Sequence, residues 1–61
     1  MFTVEDLAGL YIEGSEKVRI WDIEKEENVY TGTFNDVVYT DFAEEEVASF
    51  GIENGIIVIN I

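Results

Sequence analysis

The Asn54-Gly55 pair constrains the fold of this chain more than any other feature, because strand-like residues flank it on both sides. An Asn-Gly pair favours a two-residue hairpin loop, since both loop positions must adopt a positive φ. We therefore predict an antiparallel hairpin at the C-terminus. Its predicted cross-strand pairs are Glu53 with Ile56, Ile52 with Ile57, and Phe50 with Ile59.

This register sorts the side chains of the hairpin onto two faces, because neighbouring residues of a strand point in opposite directions. One face is wholly apolar and carries Ala48, Phe50, Ile52, Ile57, Ile59 and Ile61. The other is mixed and carries Val47, Ser49, Gly51, Glu53, Ile56, Val58 and Asn60. We expect the segment with Val37, Val38, Tyr39 and Phe42 to cover the mixed face, with a second copy of the chain as the alternative cover.

An earlier hairpin is predicted from two runs rich in β-branched and aromatic residues. The first covers Lys17 to Glu24, the second covers Val29 to Phe34, and an acidic turn lies between them. The register stays open, since Ile23 pairs with either Val29 or Tyr30. These two registers place Tyr30 on opposite faces relative to Trp21. We expect Trp21 to be a buried or half-buried aromatic residue of the sheet.

The N-terminus predicts a short helix. Thr3 suits the N-cap, with Asp6 three residues later in a capping-box position. An apolar stripe formed by Val4, Leu7, Ala8 and Tyr11 follows the helical period, and Gly14 is the predicted stop. Between the hairpins, Thr40 or Asp41 is expected to cap one helical turn through Phe42 to Glu45.

Together these elements predict one small α+β domain over residues 1–61. Their order is α-β-β-(short α)-β-β, with the N-terminal helix packed on one face of a four-stranded, mostly antiparallel sheet.

Composition narrows the chemistry that such a domain can perform. The chain has 61 residues, 14 acids against 3 bases, a net charge of −11, and no Cys, His or Pro. Disulfides, Cys or His metal sites and Ser-His or Cys-His catalysis are excluded. We expect no enzymatic activity, no cofactor and no metal. Glycines are scattered rather than grouped into a phosphate loop, and the acids of the first turn fail the calcium-loop pattern.

The strong negative charge also argues against binding to nucleic acids and to anionic membranes, and the chain's apolar pattern bears on its location. Only Lys17, Arg19 and Lys25 are available to neutralise phosphates, so direct nucleic-acid binding is not expected. Anionic membrane surfaces would repel the chain, and no apolar run is long enough to span a bilayer. The first residues lack the basic and apolar regions of a signal peptide. The expected location is therefore the cytoplasm.

The acids are distributed unevenly along the chain. After Lys25 there are eight acids and no base. A dense carboxylate surface on a small rigid fold can imitate the phosphates of a nucleic acid and compete for a basic, nucleic-acid-binding protein. The candidate partner-binding residues are Glu26, Glu27, Asp41, Glu44, Glu45 and Glu46. The alternative is a structural or regulatory accessory protein that self-associates through its sheet, for example as a homodimer. The last strand would be a natural pairing surface if it is an edge.

Three segments carry a resemblance to a known group of proteins: 18–22 (VRIWD), 29–32 (VYTG) and 53–61 (ENGIIVINI). The chain resembles small acidic proteins encoded by bacterial phages and integrated mobile elements. The resemblance implies no catalytic or binding residue. It implies a setting in which small acidic proteins include inhibitors of host defence, such as anti-restriction and anti-CRISPR proteins.

Overall fold

A computed structural model describes residues 1–11 and 13–61 of the chain. It confirms the predicted α+β class and element order. The elements are α1 (Val4–Ala8), β1 (Lys17–Asp22), β2 (Glu27–Thr33), α2 (Phe34–Val37), a 3-10 helix (Asp41–Glu44), β3 (Ser49–Glu53) and β4 (Ile56–Asn60).

The four strands form one sheet in the order β2-β1-β4-β3. The pairs β1–β2 and β3–β4 are antiparallel, and the central pair β1–β4 is parallel. The sheet is therefore mostly antiparallel, as predicted. Its edges are β2 and β3, so the hypothesis that the last strand is an edge is wrong: β4 has a neighbour on each side.

The C-terminal hairpin has the predicted register throughout. Phe50 pairs with Ile59, and the pairs closer to the loop also match. Asn54 and Gly55 have φ values of 52° and 78°, the left-handed conformation that a two-residue hairpin loop requires.

The first hairpin follows neither of the predicted registers. β1 and β2 are joined by a four-residue loop over 23–26, which the Asp22 side chain supports by accepting a hydrogen bond from the Lys25 N–H at 3.0 Å. A bulge at Val29 then shifts the pairing, because Trp21 pairs with Asn28 while Ile20 pairs with Tyr30. Ile23 pairs with neither predicted residue.

Helix α1 has the predicted capping box. The Thr3 hydroxyl accepts from the Asp6 N–H at 3.2 Å, and the Asp6 carboxylate accepts from the Thr3 N–H at 2.9 Å. The predicted stop at Gly14 is wrong, since the helix ends at Ala8. Gly14 instead has a φ of 71°, and its carbonyl accepts from the Asn35 N–H at 2.8 Å.

Between the hairpins the chain contains more helix than predicted. Thr40 caps the 3-10 helix with its hydroxyl, as expected. Helix α2 was not predicted, since Phe34 was assigned to the second strand. Thr33 caps it by accepting from the Asp36 N–H at 3.4 Å. Phe34 is buried and stacks against Tyr11, with ring centroids 4.7 Å apart.

The core lies on one face of the sheet, between β1 and β4 and the helices. Its buried side chains are Val4, Leu7, Ala8, Val18, Ile20, Phe34, Val37, Ile57 and Ile59. The expectation that segment 37–42 covers the mixed face is wrong, because Val37 is part of this core and Val38 and Phe42 pack against it. We call the uncovered mixed face of the sheet the open face; none of the described helices packs on it.

Candidate functional site

Backbone contacts bring several chain segments together at one end of the sheet. β1 and β4 are parallel, so the loop after β1 and the residues after β4 lie at the same end. The Ile23 N–H donates to the Ile61 carbonyl at 3.0 Å, and the Ala48 N–H donates to the Asn60 carbonyl at 2.8 Å. The start of β3 therefore lies beside the first hairpin loop, across β4.

The N-terminal segment is attached to this same end. The Val47 N–H donates to the Phe2 carbonyl at 2.8 Å, and the Val4 N–H donates to the Glu45 carbonyl at 3.0 Å. Glu46 also forms a β-bridge with Thr3. The start of α1 and the residues after the 3-10 helix are thereby held side by side.

These contacts bring together five of the six predicted partner-binding acids. Glu26 and Glu27 lie at the first hairpin loop, and Glu44 to Glu46 lie where the 3-10 helix meets α1. Asp41 begins the 3-10 helix, about 6 Å before its last residue, Glu44, at the usual rise of that helix. All six residues are exposed.

Four acids before Lys25 also lie at this end and were not among the predicted residues: Glu5, Asp6, Asp22 and Glu24. Asp6 and Asp22 already accept backbone hydrogen bonds, from Thr3 and Lys25 respectively. Glu5 lies in the first turn of α1, next to the Val4–Glu45 contact, and Glu24 lies in the first hairpin loop. The capping-box signal at Thr3 could have identified Glu5. We define the acidic end as Glu5, Glu24, Glu26, Glu27, Glu44, Glu45 and Glu46.

The described part of the chain contains a single ion pair, and it lies away from the acidic end. Arg19 on the open face approaches the Glu53 carboxylate at 3.7 Å. Lys17 begins β1 at the opposite end of the sheet, so Lys25 is the one base within the acidic end. The carboxylates there retain most of their negative potential toward an approaching molecule.

The open face carries the chain's tryptophan. Trp21 is exposed, at 38%, so the expectation of a buried or half-buried aromatic residue is wrong. Across β4 and β3, the Asn60 side-chain amide donates to the Ser49 hydroxyl at 2.9 Å. This face is therefore largely polar around Trp21.

Among residues 1–11 and 13–61, no polar or charged residue is buried, and no group of three potential metal ligands is found. The Tyr30 side chain lies in β2 and is half-buried. Desolvation by burial and, to a smaller extent, the Asp36 carboxylate raise the pKa of its phenol. Its ring packs 6.0 Å from that of Phe42, on the core side of the sheet. The acidic end thus offers exposed negative charge and hydrogen-bond acceptors on an ordered backbone.

Comparison of the chain with known protein families, with curated proteins and with solved structures finds no match in any of the three. Within the described ranges, no helix has the length and apolar character needed to cross a membrane.

Proposed function

We propose that this protein is a non-enzymatic binding protein whose acidic end contacts a basic protein. One observation carries the proposal: backbone hydrogen bonds hold three segments of the chain at the same end of the sheet, and each segment contributes carboxylates. The charges are therefore fixed by the fold rather than placed on a mobile tail. A fixed array loses less conformational entropy on binding than a flexible one.

The partner that best fits this surface is a protein with a groove lined by Lys and Arg, as in proteins that bind nucleic acids. Exposed carboxylates at fixed positions present charge and acceptor oxygens that such grooves otherwise receive from phosphates. The proposed protein is a nucleic-acid mimic of the kind found among inhibitors of host defence, acting in the cytoplasm. Its association should be fast at low ionic strength and weaken with salt.

Competition with duplex DNA tests the proposal directly. Purified duplex-binding proteins with basic grooves are loaded with fluorescent duplex DNA, and the acidic protein is titrated in while the fluorescence anisotropy is followed. We expect at least one of them to release its DNA, with an affinity that falls as salt rises. If none releases DNA even at low salt, mimicry is wrong.

A charge-reversal variant with a matched control locates the binding surface. Glu45→Lys/Glu46→Lys changes two exposed side chains at the acidic end. Glu13→Lys/Asp36→Lys makes the same change in charge at the opposite end of the sheet. There the Asn35 side-chain amide donates to the Glu13 carbonyl at 3.3 Å, which places Glu13 beside α2. Because like charges across an interface cost several kcal/mol, we expect the first variant to compete about tenfold or more weakly than the control.

The comparison between the two variants decides the role of the acidic end. If both variants lose the same affinity, net charge rather than the acidic end drives binding, and the proposed surface is wrong. Thermal unfolding of both variants confirms that each is folded at the assay temperature.

A further inference from the structure

The β3 edge combines full exposure with two large apolar side chains and a single charged residue. All five residues of β3 are exposed. Phe50 and Ile52 point to the core side of the sheet, yet they are 51% and 74% exposed, because the core is centred on β1 and β4. Strands of this kind pair readily with another strand.

The hairpin geometry leaves backbone groups of β3 without strand partners on its outer side. In a two-residue hairpin the residues flanking the loop, here Glu53 and Ile56, form a hydrogen-bonded pair, and such pairs then alternate with non-hydrogen-bonded ones. Phe50 and Ile52 therefore direct their N–H and C=O groups away from β4. β3 contains neither Lys nor Pro, two residues that commonly block edge pairing.

The charge of β3 indicates what kind of strand would fit there. Glu53 is its one charged residue, and Arg19 lies 3.7 Å from the Glu53 carboxylate. A basic strand would compete with Arg19 for this carboxylate, whereas a neutral, apolar strand would leave the ion pair intact.

The β3 strand of a second copy of the chain is such a strand, and Gly51 lies at the centre of β3, so two copies can pair symmetrically. In an antiparallel pair centred on this glycine, Phe50 of one copy faces Ile52 of the other, and both residues have outward backbone groups. Gly51 would face the second Gly51 as a non-hydrogen-bonded pair, where Cα atoms approach to about 4.5 Å. No atom lies within 4 Å of the place where a Cβ at Gly51 would stand, so the strand is open on that face.

We propose that two copies of this chain pair through β3, antiparallel and with the two-fold axis at Gly51. The result is a continuous eight-stranded sheet in which the apolar side chains of both hairpins share one face. The contact is short, so the dimer forms at high protein concentration rather than at trace levels. It uses a different part of the surface from the acidic end and does not depend on the proposed function.

Sedimentation equilibrium over a range of concentrations tests the pairing with Ile52→Lys and a matched control, Leu10→Lys. Both residues are exposed apolar side chains, at 74% and 69%. Leu10 follows α1 and lies next to Tyr11, which stacks on Phe34 of α2, the helix that follows the opposite edge strand β2 in the chain. Each change also reduces the net negative charge, which by itself favours association. We expect the dissociation constant to rise about tenfold or more for Ile52→Lys and to stay at or below the wild-type value for Leu10→Lys.

Salt separates this proposal from binding through the acidic end. Two chains of charge −11 repel each other, so screening should strengthen the β3 dimer, whereas it weakens contact with a basic partner. A wild-type protein that stays monomeric at millimolar concentration in moderate salt would overturn the dimer while leaving the acidic end untouched.

Amide hydrogen exchange checks the register independently of any variant. With rising concentration, the Phe50 and Ile52 amides should become protected, while the Gly51 amide, which already faces β4, should change little. Protection elsewhere without protection at Phe50 and Ile52 would show that the copies associate through another surface, and would refute the proposed pairing.

Discussion

Replacing Gly14 with Ala should destabilise the fold through two separate effects at one position. Gly14 has a φ of 71°, where residues with a Cβ are strained. An added Cβ would also stand 2.1 Å from the Asn35 Oδ1 atom and 2.7 Å from its Cγ, so the Asn35 side chain must move. The Asn35 side-chain amide donates to the Glu13 carbonyl at 3.3 Å and so connects the segment before β1 to α2.

The cost can be worked from these contacts. The left-handed conformation costs a residue with a Cβ about 1–2 kcal/mol. Displacing Asn35 removes a hydrogen bond worth about 0.5–1.5 kcal/mol. The sum is about 1.5–3.5 kcal/mol, and at about 4–8 °C per kcal/mol for a domain of this size the melting temperature should fall by about 6–28 °C.

Thermal unfolding followed by circular dichroism measures this loss, with Gly51→Ala as the control. Gly51 has no positive φ, and no atom lies near its added Cβ, so Ala there should be neutral or stabilising by up to about 1 kcal/mol. The double variant Gly14→Ala/Asn35→Ala removes the steric contact but not the backbone strain. It should therefore be more stable than the sum of its two single changes predicts. A Gly14→Ala protein that melts within about 2 °C of the wild type would refute the reasoning.

Two further predictions concern charge and pH. Added salt should raise the melting temperature, because screening relieves repulsion within a chain of charge −11; an unchanged melting temperature between low and moderate salt would contradict this. The raised pKa of Tyr30 should add stability that is complete below pH 10, its ordinary pKa, and is lost as pH rises through the folded-state value. Urea unfolding from neutral to alkaline pH should thus show a steeper loss for the wild type than for Tyr30→Phe, and parallel curves would refute this assignment.

The two hairpins show how far local sequence determines register. At the C-terminus the Asn54-Gly55 loop and the alternation of apolar residues agree, so one register satisfies both. In the first hairpin, the loop depends on the Asp22 side chain and the pairing depends on a bulge at Val29. Neither the Asp22 hydrogen bond nor the bulge changes the period of the apolar residues, so the register of this hairpin could not be predicted from the sequence pattern.

The same capping motif precedes both α-helices and is visible in the sequence. Thr33 and Asp36 have the same spacing as Thr3 and Asp6, and each threonine caps a helix whose first residue is buried. This motif could have predicted α2 in place of the last residue of a strand. α1 ends early at Ala8 with Gly9 as its C-cap, and the next two amides, of Leu10 and Tyr11, bond to carbonyls three residues back instead of continuing the α-helical pattern.

The candidate site was predictable in composition but not in arrangement. The sequence showed where acids accumulate along the chain, and five of the six predicted residues lie at one end of the sheet. That grouping depends on the parallel pairing of β1 with β4 and on contacts such as Val4 with Glu45, which join distant parts of the chain. Glu5 joins the group only through the Val4–Glu45 contact, whereas Glu24 lies in the same loop as Glu26 and was visible in the sequence.

The position of β4 has a consequence for how this protein folds as it is made. Val18 in the first strand pairs with Ile57 in the last, and these central strands carry most of the core of the sheet. Until β4 emerges from the ribosome, the first hairpin and α1 lack the second of the two central strands, and the apolar side chains that would pack beside Ile57 and Ile59 stay partly in water. Because pairing of such distant segments slows folding, we expect the chain to collapse late and in one cooperative step, after synthesis has passed β4.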